Sequence, residues 1–210
     1  MKLIAALTDP ANAHSAQADG ADLLELRFDL MNGDPAAIAR QAAAASTLPV
    51  IATFRSVQEG GRYAGNPGEW LERITPVLPF VAFVDVEQRF SQHAGVIREA
   101  GKTIIASCHC DVMPGMYELF DLERGLRSYG DIVKIIVTPQ NAEDVIELIT
   151  FTNAIRQPIC TGVMGTGFRY ARAILPLFGS EFVYCSAGTP TAQGQYSLQE
   201  FIRLRALLGM

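Results

Sequence analysis

Short apolar runs alternate with longer amphipathic segments from one end of this chain to the other. Eight of the short runs are β-branched or otherwise apolar, which is the pattern of buried strands. The predicted strands cover residues 3–7, 23–27, 50–54, 80–87, 103–109, 132–137, 158–164 and 182–185.

A segment with helical character follows each predicted strand. The clearest start signal is Asp34 before Pro35, an N-cap residue followed by a proline in the first helical turn. The predicted helices cover residues 12–18, 35–46, 68–78, 90–100, 117–127, 142–156, 170–178 and 198–208.

Eight strand–helix units joined by short loops predict a parallel sheet, because parallel neighbours need a crossover connection. Eight units favour closure into a (β/α)8 TIM barrel of the α/β class. We expect residues 1–210 to form one catalytic barrel domain. A doubly wound open sheet is the alternative.

Composition and charge exclude several classes of protein. The chain has 210 residues and a net charge of -5, with no cluster of Lys and Arg, which argues against nucleic-acid binding. The apolar start at residues 3–7 is too short for a signal peptide, which needs about 7–15 apolar residues, or for a membrane span of about 20. We expect a cytoplasmic protein that binds neither nucleic acid nor membrane.

Polar side chains recur at every second position near the ends of five predicted strands. Strand ends form the mouth of a barrel, where the active sites of this fold lie. Some of these side chains could merely pair with each other, as Glu25 with Arg27, but burying the whole set is costly. The set comprises Glu25, Arg27, Thr53, Arg55, Asp85, Glu87, Ser107, His109 and Lys134.

Lys134 is the single ionisable residue in the middle of an aliphatic strand, residues 132–137. Burial lowers the pKa of a lysine, and we expect Arg27 and Arg55 to lower it further. An uncharged amine is a nucleophile towards carbonyl carbon, which is the start of imine chemistry. The alternative is a lysine whose ammonium reaches water along its own stem.

His109 is the one histidine of three that ends a strand facing the predicted mouth. Its ordinary pKa of about 6.5 suits a proton carrier. Cys108 and Cys110 flank it, but successive side chains of a strand face opposite sides, so the three cannot converge on a metal. We expect no metal site and interpret the four cysteines as small buried thiols: Cys108, Cys110, Cys160 and Cys185.

Loops after three strands could complete a site. Glu59 precedes a Gly-Gly pair that could bring its carboxylate over the mouth. Residues 186–195 form a lid or an ordinary mobile loop. The turn at residues 165–167 weakly indicates anion binding. Arg169 or Arg172 could bind a substrate carboxylate through two hydrogen bonds.

The order and spacing of these residues resemble the type I 3-dehydroquinate dehydratases over nearly the whole chain. The resemblance implies a cofactor-free hydro-lyase of the shikimate pathway that dehydrates the small molecule 3-dehydroquinate through a lysine imine. Family members are often homodimers. The matching segments are residues 25–29, 53–56, 59–61, 84–87, 107–111, 131–134, 164–172, 178–180 and 191–195.

The resemblance also implies a role for individual residues. Lys134 would form the imine, His109 would be the general acid and base, and Glu59 would support His109. Arg172 would bind the substrate carboxylate and Met164 would pack against the ring. The remaining substrate contacts would be Glu25, Arg27, Arg55, Thr191 and Gln195, with Asp85 and Glu87 in support.

Two positions depart from the family pattern. Residues 191–195 read Thr-Ala-Gln-Gly-Gln where the family has Ser-Ala-Pro-Gly-Gln, and Ala171 replaces a serine. We expect these changes to affect loop closure or affinity rather than the reaction.

Two other functions stay open: a lysine-dependent aldolase on the same barrel, and a barrel that binds a metabolite without turning it over.

Overall fold

Eight parallel strands form a nearly closed barrel in the computed structural model, which describes residues 1–210. All eight predicted strands are present. Their neighbour order is β7-β6-β5-β4-β3-β2-β1-β8. The bounds are β1 Lys2–Leu7, β2 Leu23–Arg27, β3 Val50–Thr53, β4 Phe83–Glu87, β5 Thr103–His109, β6 Ile132–Val137, β7 Ile159–Val163 and β8 Phe182–Ser186.

A helix follows each strand, so the predicted β/α alternation is confirmed. Asp34 caps its helix by accepting a hydrogen bond from the amide of Ala37 at 2.9 Å. None of the helices is both long and apolar enough to cross a membrane. The bounds are α1 Ala13–Ala18, α2 Pro35–Ala45, α3 Pro67–Ile74, α4 Ala94–Glu99, α5 Met116–Arg127, α6 Ala142–Ala154, α7 Ala171–Ile174 and α8 Leu198–Leu207.

Three predicted elements are partly 3-10 helix instead. The strand predicted from residue 80 begins at Phe83, because a 3-10 helix with Pro76 and Pro79 occupies Thr75–Phe80. The helix predicted over 90–100 starts as a 3-10 helix at Gln88–His93. The helix predicted over 170–178 changes from α7 to a 3-10 helix at Leu175–Phe178, where Pro176 has no amide hydrogen to donate.

The barrel closes between β7 and β8 through side-chain hydrogen bonds rather than a continuous ladder. The Ser180 hydroxyl accepts from the amide of Thr161 and donates to the Thr161 carbonyl, both at 3.0 Å. One backbone bond joins the same strands, from the Glu181 amide to the Ile159 carbonyl at 2.9 Å. These contacts replace the missing ladder and hold the two edge strands together.

The interior of the barrel is apolar at its base and polar at its mouth. An apolar layer crosses it near the strand beginnings: Ile4, Leu23, Ile51, Ile105, Ile132, Cys160 and Phe182. Two residues further along, the next inward side chains include Glu25, Thr53, Asp85, Ser107, Lys134 and Tyr184. The intervening residues, such as Leu24, Leu26 and Val84, pack outward in the core beneath the helices. The apolar layer therefore closes the base and leaves one polar mouth.

Candidate active site

A pocket of about 680 Å³, open on one side, lies at the carboxyl ends of the strands. The strand alternation explains its composition, because inward side chains above the apolar layer, such as Glu25, Thr53 and Lys134, line it. Nine of the predicted site residues line it: Glu25, Arg27, Arg55, His109, Lys134, Met164, Arg172, Thr191 and Gln195.

Lys134 is buried at the inner end of this pocket, with 4% of its surface exposed, which excludes a lysine that reaches bulk water. Its Nζ donates to Asp85 Oδ2 at 2.9 Å and lies 3.9 Å from Glu25 Oε1. Hydroxyl groups hold both carboxylates from behind: Ser107 donates to Asp85 at 2.5 Å, and Thr53 donates to Glu25 at 2.9 Å.

The expectation of a lowered pKa for Lys134 is wrong. Burial does lower the pKa of its ammonium, but the charges of Asp85 and Glu25 and the hydrogen bond to Asp85 raise it more, so the net shift is upward. The sequence indicated that Arg27 and Arg55 line the same mouth, but it could not show which charged groups lie closest to the Lys134 amine. Because the carboxylates are the groups in contact, the resting amine is protonated.

His109 and Glu59 form a hydrogen-bonded pair on one wall. Glu59 Oε2 lies 2.7 Å from Nδ1 of His109 and also accepts the backbone amide of the same residue at 3.0 Å. This contact occupies Nδ1 and leaves Nε2 as the ring nitrogen available to the pocket. The flexible turn after β3 therefore delivers Glu59 behind His109, as the sequence suggested.

The electrostatic setting keeps the His109 ring neutral. Burial lowers the pKa of His109 well below its ordinary value, and Arg55, Lys134 and Arg27 lower it further. For Glu59, burial raises the pKa to about 9, with Glu87 adding to the increase and Arg55 opposing it. The imidazolium form of His109 is therefore disfavoured, and the neutral ring can accept a proton at Nε2.

The two arginines on β2 and after β3 are fixed by different partners. Arg27 donates two parallel hydrogen bonds to Asp29, each 2.8 Å long, so the pairing of Glu25 with Arg27 that the sequence left open does not form. Arg55 donates from Nε to the Glu59 carbonyl at 2.8 Å, while its Nη2 lies 3.2 Å from Met164 Sδ. Both guanidinium groups are held towards the pocket.

Glu87 supports the loop rather than the pocket surface. Its Oε1 accepts the amide of Ser56 at 2.8 Å, and its Oε2 is buried without a partner. Burial raises the pKa of this carboxyl, which the hydrogen bonds from Ser56 partly oppose. Glu87 and Asp85 are thus two carboxylates that lie behind the side chains lining the pocket.

Arg172 lines the pocket, and part of its guanidinium has no hydrogen-bond partner. Its Nη2 donates to the Gln193 carbonyl at 3.2 Å, but its Nε is buried without a partner. Burial lowers its pKa to about 10, and nearby Arg169 contributes to this shift, so the group is still charged at neutral pH. A buried cation with a free donor is suited to an anionic ligand.

One expectation about the surroundings needs correction. Cys108 and Cys110 are only half-buried, with their sulfurs 3.7 Å apart on the helix side of β5, opposite the ring of His109. The turn at residues 165–167 lies against the loop after β8, because a Cβ on Gly194 would lie 2.2 Å from the Gly165 carbonyl oxygen. Thr166 and Gly167 are exposed, so anion binding at this turn stays a prediction.

Sequence reasoning overlooked Tyr184 and the role of Asp29. The Tyr184 ring lies on the pocket wall with its centroid 4.3 Å from Lys134 Nζ, and its hydroxyl is buried without a partner. Strand parity could have found it, since Tyr184 follows Phe182 by two positions on β8. Asp29 lies beyond the end of β2, where parity gives no signal.

The barrel and its pocket define an enzyme of the (β/α)8 class with a buried lysine between carboxylates at the mouth. Residues 6–210 match the sequence model of the family described as Type I 3-dehydroquinase. The chain therefore belongs to the type I 3-dehydroquinase family. The family resemblance drawn from the motifs is confirmed.

Named relatives agree with this assignment. The chain is 61% identical over 208 residues to a 3-dehydroquinate dehydratase of Methanoregula boonei, covering 99% of this chain and 100% of the relative. It is 43% identical to a 3-dehydroquinate dehydratase of Methanospirillum hungatei, covering 99% of this chain and 81% of the relative.

Solved structures agree with the fold. The 3-dehydroquinate dehydratase of Aquifex aeolicus superposes with a TM-score of 0.83 at 28% identity, covering 99% of this chain and 98% of that one. The enzyme of Geobacillus kaustophilus superposes with a TM-score of 0.91 at 24% identity, covering 99% and 91%. The predicted TIM barrel is confirmed.

Proposed function

We propose that this protein is a 3-dehydroquinate dehydratase of type I, a hydro-lyase, and that it forms an imine between Lys134 and the ketone of its substrate. The observation that carries the mechanism is the contact of the buried Lys134 amine with Asp85, in a pocket that also contains His109 and Arg172. An amine, a neutral imidazole and a free guanidinium around one cavity are the groups that this elimination needs.

The amine must lose a proton before it can attack. Asp85, 2.9 Å from Nζ, is the acceptor within reach, and Ser107 keeps that carboxylate oriented. Nζ then adds to the carbonyl carbon to give a carbinolamine. Asp85 returns its proton to the carbinolamine hydroxyl, which leaves as water and gives a protonated imine. The ring of Tyr184 and the carboxylate of Glu25 lie beside this cation and stabilise it.

The protonated imine makes the adjacent carbon acidic. His109 removes a proton from that carbon through Nε2, and the electron pair forms an enamine. The enamine expels the hydroxyl group one carbon further on, and the imidazolium returns the proton so that water leaves. Hydrolysis of the imine releases the unsaturated ketone and restores Lys134. One base serves both transfers, and such help contributes roughly 10²–10⁴ in rate.

The remaining residues would hold the substrate. Arg172 would bind the carboxylate through its guanidinium, and Met164, in contact with Arg55, would pack against the ring. Glu25, Arg27 and Arg55 would receive the hydroxyl groups from the opposite wall. Thr191 and Gln195 already contact each other, with the Thr191 amide donating to Gln195 Oε1 at 2.8 Å, and would close over the ligand.

Borohydride reduction in the presence of 3-dehydroquinate tests the proposal. The chain has three lysines, Lys2, Lys102 and Lys134, so peptide mapping by mass spectrometry locates a reduced adduct without ambiguity. We expect the adduct on Lys134. Lys134→Met should give none, whereas the matched control Lys102→Met should be trapped like the wild type. A wild-type protein that turns over the substrate without any trapped lysine would remove the imine step.

His109→Ala separates the proton carrier from the nucleophile. We expect this variant to form the adduct and to turn over about 10²–10⁴ times more slowly, because the amine is intact and the base is lost. Measuring trapped adduct and turnover on the same sample makes the comparison direct. Normal turnover would remove the role proposed for His109.

We further propose that residues 1–210 act as one catalytic domain in the cytoplasm and pair as a homodimer. Free thiols at the buried Cys160 and Cys185 suit a reducing compartment. The side chains of Tyr117 and Ile146 are 86% and 62% exposed, which supports a contact with a second copy. Their helices are adjacent there, because the Met116 amide donates to Glu147 at 2.6 Å.

A further inference from the structure

Three consecutive backbone carbonyls of the loop after β8 are held by two arginines of the loop and helix after β7. Arg172 donates from Nη2 to the Gln193 carbonyl at 3.2 Å. Arg169 donates from Nε to the Gly194 carbonyl at 3.2 Å and from Nη2 to the Gln195 carbonyl at 3.4 Å. Two of the three carbonyls of this loop segment therefore depend on Arg169.

Arg169 is itself fixed on the opposite side. Its guanidinium carbon lies 3.8 Å from the ring centroid of Tyr196, and its Nη2 donates to Glu200 Oε2 at 2.9 Å. Tyr196 is buried, and its carbonyl accepts from the amide of Ser186 at the end of β8. The guanidinium thus connects a fixed part of the barrel rim to the loop.

The loop it holds is in van der Waals contact with the rim. Gly194 has a φ of 72° and lies so close to the Gly165 carbonyl that no side chain would fit. The inner surface of the same loop carries Thr191 and Gln195, which line the pocket. Any opening of the pocket at this side must break the contacts of Arg169.

We propose that Arg169 is a positioning residue that latches the loop 191–195 over the pocket and so sets substrate affinity. This inference rests on the proposed dehydratase function for its kinetic readout. It also replaces the possibility that Arg169 competes with Arg172 for the substrate carboxylate, because the donors of Arg169 are directed to the loop. Arg172 faces the ligand, and Arg169 holds the loop beside it.

The charge of Arg169 adds to this role. Its proximity contributes to the lowered pKa of Arg172, after the larger effect of burial. A carboxylate that binds Arg172 relieves this repulsion, so ligand binding and loop closure favour each other. Loss of Arg169 should therefore weaken the closed loop more than it changes the chemistry beneath it.

Steady-state kinetics of Arg169→Ala and Arg169→Lys test the proposal. We expect KM for 3-dehydroquinate to rise about tenfold in Arg169→Ala, which corresponds to 1.4 kcal/mol, with kcat preserved. Lysine keeps the charge near Glu200 but has no planar fork for two carbonyls, so it should recover only part of the affinity. Arg203→Ala, which removes an exposed arginine of α8, is the matched control and should match the wild type.

Hydrogen exchange of the free protein gives a second readout that needs no turnover. The peptide containing residues 191–195 should exchange faster in Arg169→Ala, while peptides of β5 and β6 are unchanged. Unchanged KM and unchanged loop exchange would overturn the latch, and so would a loss of kcat and thermal stability with KM unaltered. If the wild type does not turn over 3-dehydroquinate, the dehydratase proposal fails, and loop exchange still decides the latch.

Discussion

At the scale of single residues, Lys134 illustrates how contacts override burial. Desolvation alone would discharge the amine, yet two carboxylates buried with it reverse the direction of its pKa shift. The Lys134 amine is therefore held as a protonated ion-pair partner, and it becomes a nucleophile only after it loses a proton. Its Coulomb attraction offsets the cost of placing three ionisable groups inside a barrel.

Removing the ammonium should destabilise the fold. In Lys134→Met the carboxylates of Asp85 and Glu25 stay buried without their cation, and breaking such a pair costs about 3–5 kcal/mol. Urea denaturation at neutral pH measures this loss. Adding Asp85→Asn to the same variant should restore part of it, because one uncompensated charge is gone. Equal stability of the single and double variants would contradict the pairing.

The raised pKa of Glu59 predicts a stability that falls with pH. The folded protein keeps a proton on Glu59 up to about pH 9, whereas the unfolded chain loses it near 4.5, so each pH increase in between favours unfolding. The lowered pKa of His109 works in the opposite direction only below about 6.5. Between about pH 6.5 and pH 9, where His109 does not oppose the effect of Glu59, we expect the melting temperature of the wild type to decline with pH.

Glu59→Gln should flatten this decline, because glutamine carries no titrating proton. Melting curves of both proteins across that pH range provide the measurement. Parallel declines in the two proteins would assign the pH dependence to other groups.

At the scale of elements, the alternation of side chains along the strands positions the site residues. The contact between β7 and β8, which we call the seam, closes the barrel. Seven strand pairs are joined by backbone ladders, but β7 and β8 depend on the Ser180 hydroxyl. This seam lies beside Gly162 on β7 and Tyr184 on β8, which both line the pocket. A loosened seam would therefore affect both stability and pocket shape.

Ser180→Ala should cost about 1–3 kcal/mol, because the buried amide of Thr161 loses its acceptor. Chemical denaturation measures the free energy of unfolding. Ser128→Ala is the matched control, since the Ser128 hydroxyl bonds a carbonyl at an exposed helix end, and its removal should be nearly neutral. Equal effects of the two substitutions would show that the seam does not depend on Ser180.

At the scale of the whole molecule, exposed apolar residues lie on the outer helices α5 and α6. If these helices form the proposed homodimer contact, Ile146→Glu should shift the protein to a monomer, because a charge would be buried in the interface. Light scattering with size exclusion measures the mass. Leu207→Glu, at a residue 84% exposed on α8, should leave the mass unchanged.

The sequence by itself determined the elements and the faces of the strands. A period of two in β2, β4 and β5 was enough to assign Glu25, Asp85 and His109 to one mouth, because side-chain direction is a local property of extended backbone. The order of strand and helix was enough for the barrel, since parallel connections allow few topologies.

Only the tertiary structure decided which charges touch. Lys134 pairs with Asp85 across β6 and β4, which depends on register and rotamers, and Arg27 pairs with Asp29 just beyond the end of its own strand rather than with Glu25. For the same reason the sequence could not predict the direction of the pKa shift of Lys134. It also could not show that Arg169 donates hydrogen bonds to the loop 191–195. Electrostatic energies depend on distances of a few ångströms between residues far apart in the chain, and periodicity carries no information about them.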